Sequence, residues 1–357
     1  VLSNLIQFLT VTLVGLIGAV SAQAIGLPIP FLLGSLAATA ALSLIWYART
    51  NRRLWFSQWL RRICIGTIGA MIGTTFDPAI LGLLPAMVLS IPAMIVFILG
   101  SQCANYLLFR RVGGYDPVTA FYAAMPGGLI EAVTLGEKAG GDVEVLSVQH
   151  FARIVLVVLA IPALFYVMTG DVVGSAGGQS LEAAQTGWLD WAAFLLLVPL
   201  GYYLGRWIKM PAAQLTGPML VSALFHGVGV LDVSGPTLLL NGAQLLSGAG
   251  LGVMFARSTL RQLIICFALG AVSVAMTLGL SAILAGLLVG RVPMPFEALL
   301  ISFAPGGVTE MGLIALSLGA SPMLVAAHHL FRISATVMIA GLVGRRLMKP
   351  AAQATDS

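Results

Sequence analysis

Charge is what this sequence has least of. Only 9% of its 357 residues are Asp, Glu, Lys or Arg, while 59% are hydrophobic. Soluble domains carry about 25% charged residues, so a chain this apolar cannot cover a surface facing water. The composition excludes an ordinary soluble enzyme or regulator and points to a multi-span membrane protein. Cysteine is also sparse: Cys64, Cys103 and Cys266 sit inside apolar runs and share no CxxC spacing. They read as small hydrophobes rather than metal ligands or disulfide partners. The four histidines do not suggest a metal site, and no cofactor is expected. There is no ATP-binding P-loop, so the chain does not drive itself with ATP. The first residues have neither a basic n-region nor a short cleavable h-region, which makes residues 4–24 an expected first span.

What is present is a run of apolar stretches of about 20 residues, the length that crosses a bilayer. Five are expected in the first half, near 4–24, 29–47, 63–81, 84–108 and 147–168. Five more are expected in the second half, near 189–206, 213–231, 239–256, 262–290 and 322–344. The 41 glycines suit helices that pack closely in lipid. Five tryptophans, Trp46, Trp55, Trp188, Trp191 and Trp207, fall at expected span ends, as interface anchors do.

The two halves are copies. Pro126-Gly127-Gly128-Leu129-Ile130-Glu131 returns as Pro305-Gly306-Gly307-Val308-Thr309-Glu310, 179 residues later, and His150-x-x-Arg153 returns as His329-x-x-Arg332 at the same offset. Gly69-x-x-x-Gly73 matches Gly248-x-x-x-Gly252 at 179, and Leu27-Pro28 with Gly34 matches Met210-Pro211 with Gly217 at 183. The expected organisation is a first membrane repeat over 1–169, a linker over 170–187, a second repeat over 188–349 and a tail over 350–357.

Orientation follows from the basic residues. If each Pro-Gly-Gly segment enters and leaves on one side, the Lys and Arg residues near 49–62, 110–111, 206–209, 257–261 and 345–349 all fall on one face, together with Lys138. Only Arg291 is then outside. This is what the positive-inside rule requires. If the segments crossed fully, the second half would turn over and bring Arg206, Lys209, Arg257 and Arg261 outside. The expected fold is therefore all-α and integral to the membrane, with about ten spans in two inverted repeats of five. Each repeat carries a re-entrant or broken helix, and both termini are cytoplasmic. The topology accounts for the basic loops without nucleic acid.

Glu131, Glu310, Arg153 and Arg332 are ionisable residues at membrane depth, where an unpaired charge costs several kcal/mol. They serve either a function or a structural Glu–Arg ion pair. Pro ends an incoming helix and Gly permits a turn, so the next half-helix starts inside the membrane with free N–H groups. In inverted-repeat transporters two such breaks form the solute site. The expected solute-binding residues are Pro126, Gly127, Gly128, Pro305, Gly306, Gly307, Thr309, Arg153 and Arg332. Glu131, Glu310, His150 and His329 are the expected ion-coupling groups, the histidines because they titrate near neutral pH.

Leu-Pro-x-Pro-x-x-x-Gly at 27–34, Pro-x-x-x-x-x-Gly-Pro at 211–218 and the two Pro-Gly-Gly-x-x-Glu motifs together resemble the AbrB family of bacterial membrane proteins. The likeness runs from Leu5 to about Arg346. It implies a duplicated hydrophobic domain in the bacterial inner membrane. Some members carry an ammonia monooxygenase label, others that of a regulator of gene expression. In architecture the chain is also similar to anion transporters with inverted five-span repeats and Gly-rich re-entrant loops. Three functions follow as alternatives. The leading one is a secondary transporter of a small, anionic organic solute coupled to H+ or Na+. The second is a membrane-embedded regulator without transport. The third, a monooxygenase, has too few clustered ligands for its metal, so no catalytic residues are expected. The expected partners are lipid, solute and coupling ion, with a homodimer left open.

Overall fold

The computed structural model describes residues 2–347 except 28, 77, 79–81, 83, 170–187, 211, 232–234 and 257. The expected linker at 170–187 and the tail at 350–357 lie outside the described residues. The described chain is helical: α1 (Leu2–Ala24), α2 (Pro30–Thr50), α3 (Gln58–Gly73), α4 (Leu84–Met87), α5 (Ser90–Arg111), α6 (Pro117–Ala123), α7 (Leu129–Lys138), α8 (Val143–Thr169), α9 (Trp188–Trp207), α10 (Ala213–Gly227), α11 (Thr237–Gly252), α12 (Leu260–Leu288), α13 (Phe296–Phe303), α14 (Val308–Ser317) and α15 (Pro322–Leu347). Among the described residues seven helical stretches are long and apolar enough to cross a membrane: α1, α2, α5, α8, α11 together with the 3-10 turn that carries it to Phe255, α12 and α15. Helices α3, α9 and α10 lie at the other three expected spans. At 16 and 15 residues, α3 and α10 are shorter than the ~20 residues of a perpendicular crossing.

Two expected spans begin five or more residues away from the expected start. The apolar run 84–108 is not one helix, because α5 starts only at Ser90. Pro92 lacks an N–H, and its ring collides with the carbonyl four residues back, so the helix cannot continue through Val88. Helix α3 starts at Gln58, well before 63, because the Ser57 hydroxyl accepts from the Leu60 amide at 3.3 Å and caps it. Arg61 and Arg62 are therefore helical.

The chain divides into two compact units, each taking pieces from both halves. The first comprises Val1–Leu83, Val158–Arg257 and Val308–Ala326, and the second Leu84–Val157, Ser258–Gly307 and Ala327–Ser357.

Glycines knit the first unit together. A Cβ on Gly18 or on Gly34 would strike the other's carbonyl oxygen, which brings α1 and α2 into backbone contact. At the counterparts 183 positions later, a Cβ on Gly217 would strike the carbonyl oxygen of Gly201, and one on Gly201 the backbone of Pro218, so α9 and α10 are in backbone contact too. Gly69 and Gly73 of α3 abut the carbonyls of Leu215 and Met219 on α10. Reciprocally, Gly248 and Gly252 of α11 abut the carbonyls of Leu32 and Leu36 on α2. Thr39 donates to the Ala249 carbonyl at 3.3 Å and Ser43 to that of Val253 at 3.0 Å. The Gly-x-x-x-Gly pairs thus allow close helix approach, and each half packs its third helix on the other half's second. The left-handed backbone before α2 and α10 is also duplicated. Gly26 and Lys209 have φ of 70° and 57°, and Ile29 and Ala212 have φ of 43° and 49°.

The second unit packs around Phe109, Phe121, Tyr122, Met125, Leu146 and Leu269. It holds α5, α6, α7, α12 and α13, with the first part of α8 and most of α15. Gly136 on α7 leaves no room for a Cβ beside Leu146 and Tyr122, which sets α7 closely against α6 and α8. Both Pro-Gly-Gly stretches lie in this unit, one between α6 and α7 and the other after α13 and before α14 in the chain. Ten residues of helix reach about 15 Å, half the hydrocarbon thickness, so no piece spans alone.

Candidate functional site

Helix α6 begins where Pro117 takes the first helical position and the Asp116 carboxylate accepts from the Val118 and Thr119 amides. It ends after seven residues, because Pro126 stops it. Its last carbonyls then have no intrahelical donor, and in this buried place they need side chains. Gln102 Nε2 donates to the Phe121 carbonyl at 2.9 Å, and His150 Nε2 bonds the Tyr122 carbonyl at 2.8 Å. The Arg153 guanidinium completes the set. Its Nη1 donates to the Met125 carbonyl and its Nη2 to that of Gly127 at 2.9 Å.

The second copy repeats the histidine and arginine bonds and adds one at Phe303. His329 Nε2 bonds the Ile301 carbonyl at 2.9 Å. Arg332 donates from Nη1 to the carbonyls of Phe303, at 3.3 Å, and Ala304, and from Nη2 to that of Gly306 at 2.8 Å. Tyr122, Met125 and Gly127 correspond to Ile301, Ala304 and Gly306 at the offset of 179. Each His-x-x-Arg pair is thus a clamp on the cut end of the half-helix before it. A carbonyl can only accept, so both rings donate from Nε2–H. His329 Nδ1 then accepts from Arg332 Nη2 at 3.1 Å, while His150 Nδ1 is buried without a hydrogen-bond partner.

The guanidiniums are almost fully enclosed, Arg153 5% and Arg332 1% exposed. Each Nε is buried without a partner. The charged group that bears on Arg332 is Arg153. The two tips are therefore held by neighbouring cations, and none of the hydrogen-bond partners described for either is a carboxylate.

An ion pair of Glu131 with Arg153 is not what holds the first copy. Glu131 turns back over the start of its own helix, where a Cβ at Gly128 would collide with its carboxylate. There it offsets the positive end of α7. Glu310 sits with Thr309 in the first turn of α14, in the first unit, and its charged neighbour is Arg61. Pro126, Gly127, Pro305 and Gly306 are buried, Gly128 and Gly307 half-buried. Among the described residues no three His, Cys, Asp or Glu side chains gather as metal ligands would.

The sequence model of the family described as "Transition state regulatory protein AbrB" matches residues 41–348, a stretch that contains both tips and both clamps. The chain belongs to the AbrB family. Two relatives in that company are bacterial. "Uncharacterized protein YhjN" of Bacillus subtilis (strain 168) is 26% identical over 355 residues, covering 92% of this chain and 90% of the relative. "Putative regulator AbrB" of Escherichia coli (strain K12) is 22% identical over 289 residues, covering 78% and 80%.

In this AbrB-family chain some residues at the site carry no motif. Gln102 caps the first tip, but its counterpart at the offset of 179 is Ser281, which bonds its own helix at the Thr277 carbonyl. His328 bonds the Ser90 hydroxyl at 2.7 Å, which leaves His329 as the member of that pair that joins the clamp. Thr336 touches the first tip: a Cβ at Gly127 would lie 3.2 Å from its methyl carbon. A partly polar cluster, Tyr115 donating to Gln149 at 2.9 Å and Gln149 to the Cys266 carbonyl at 3.2 Å, ties α12 to α8 in the same unit.

Proposed function

We propose that this chain is a secondary transporter of a small anionic organic solute, coupled to H+ or Na+, in the bacterial inner membrane. The observation that carries it is the duplicated clamp. Two half-helices, α6 and α13, end inside one unit, and each end is held by a buried guanidinium with an Nε–H to spare. Keeping two such charges out of water costs several kcal/mol each, a poor way merely to kink a helix. A site that takes up an anion and lets it go has use for both.

In this reading the halves are inverted repeats of five spans with both termini cytoplasmic, and each Pro-Gly-Gly segment re-enters. The exchange of α3 and α11 between the halves is what a two-fold axis would produce, and the basic loops supply the orientation. Pro126, Gly127, Gly128, Pro305, Gly306, Gly307 and Thr309 shape the site, and Arg153 and Arg332 attract the solute. Glu131 and Glu310, at the starts of α7 and α14, couple the ion. His150 and His329 fix the half-helix ends that the coupling moves.

The printed names of the family and of one relative favour a second reading, a membrane-embedded regulator without transport. Uptake of labelled organic acids into proteoliposomes under an imposed H+ or Na+ gradient separates the two. Gradient-driven uptake that Glu131→Gln and Glu310→Gln disconnect from the gradient is the expected result. Folded protein that moves none of the acids under either gradient would overturn the transporter.

A further inference from the structure

The two clamps share three corresponding carbonyls, and among the differences between them is one buried position beside the arginines. Four residues beyond Arg332, on the same face of α15, stands Thr336, 3% exposed. Its counterpart at the offset of 179 is Val157, also buried, four residues beyond Arg153. Several buried hydroxyls satisfy themselves on their own helix, whereas those of Thr12 and Ser247, both in the first unit, have no partner. Thr39, Thr277, Ser281 and Ser302, and the half-buried Ser334, each donate to the carbonyl four residues back, at 2.6–2.8 Å. Thr336 does not, and its Oγ1 is buried without a hydrogen-bond partner. It lies against Gly127, whose carbonyl Arg153 holds, and one turn from Arg332. Three unused donors, Arg153 Nε–H, Arg332 Nε–H and the Thr336 hydroxyl, therefore belong to one connected group in one unit. Leaving such groups dry is costly; the buried acceptor one turn from Arg153, His150 Nδ1, is unused as well, and its single lone pair serves at most one of the three.

We propose that this group is the recognition point for one small monocarboxylate, with Thr336 as its specificity residue. The proposal deepens the anion-transport reading and rests on it. Charge sets the valence. Two guanidiniums face the cut ends of α6 and α13, each of which returns about half a negative charge. About one positive charge is left over, which suits a monoanion and not a dianion. Donor number sets the group. A carboxylate offers two oxygens with about four lone-pair sites, enough for two Nε–H donors and one hydroxyl. The hydroxyl stands on one side only, with Val157 opposite, so the acid is held in a single orientation although the protein around it is duplicated.

The test uses the full-length protein in detergent, with propionate as probe and propionamide, succinate, chloride and nitrate as comparisons. Binding is followed by calorimetry and by the shift in unfolding temperature. Propionate should bind, and propionamide and succinate should not. Thr336→Val, which keeps the shape, should weaken propionate at least about tenfold, about 1.4 kcal/mol, with the unliganded unfolding temperature unchanged. Thr336→Ser should keep the affinity, and Thr336→Val with Val157→Thr should regain it from the other side. Propionate binding that Thr336→Val leaves intact would overturn the role of Thr336 while the transporter reading stands. Chloride or nitrate binding as well as propionate would overturn the carboxylate class. Wild-type protein that binds none of the anions but carries a neutral solute would overturn both readings.

Discussion

Replacing each clamp arginine by lysine keeps the buried charge and removes only the planar fork, so the desolvation of the cation largely cancels in the comparison. Arg332 serves the carbonyls of Phe303, Ala304 and Gly306 and the Nδ1 of His329. A lysine ammonium is a single nitrogen and reaches one or two of these. Two acceptors stay dry, at about 1–2 kcal/mol each, so Arg332→Lys should cost about 2–4 kcal/mol. Arg153 serves two carbonyls, those of Met125 and Gly127. One is lost, and Arg153→Lys should cost about 1–2 kcal/mol. At roughly 2 °C per kcal/mol for a chain of this size, thermal unfolding of purified protein should drop by about 4–8 °C for Arg332→Lys and about half that for Arg153→Lys. The order of the two losses is the test. Equal losses, or a larger one at Arg153, would show that carbonyl capping is not what these arginines contribute.

Two further outcomes follow from the same geometry. Gly18→Ala and Gly217→Ala push a Cβ into a facing carbonyl and should each lose about 1–3 kcal/mol. Gly242→Ala and Gly279→Ala, with open space around them, should be neutral or gain up to about 1 kcal/mol in helical propensity, read in the same unfolding assay. For the topology, Val112→Cys and Lys138→Cys flank the first broken helix, and in a cysteine-free background an impermeant reagent should label both from the same face. Labelling from opposite faces would mean that the segment crosses.

Duplication made the site legible, and it also set the limit. The sequence shows Pro-Gly-Gly, Glu and His-x-x-Arg because both copies kept them. Thr336 and Gln102 carry no such signal, since Val157 and Ser281 stand in their places and a search for sameness passes over differences. The pairing of Glu with Arg looked natural because carboxylates are visible in a sequence and backbone acceptors are not. The structure gives Arg153 two carbonyls instead. Hydropathy located the helices but not where α3 and α5 begin. A hydroxyl at Ser57 and a ring at Pro92 decide those starts, and both were there to be read as capping and stop signals.

The exchange of third helices between the halves has a consequence for how the chain is made. Thr39 waits for a partner carbonyl 210 residues further along. At a synthesis rate of about 5–20 residues per second that is roughly 10–40 s. Throughout that interval the faces of α2 and α3 that pack on the second half stand uncovered. Until α10 and α11 arrive, the only matching faces on offer are those of another nascent first half. The spacing between ribosomes on one message, as much as the packing of the finished protein, then bears on whether the first half meets its own second half or a neighbour's first.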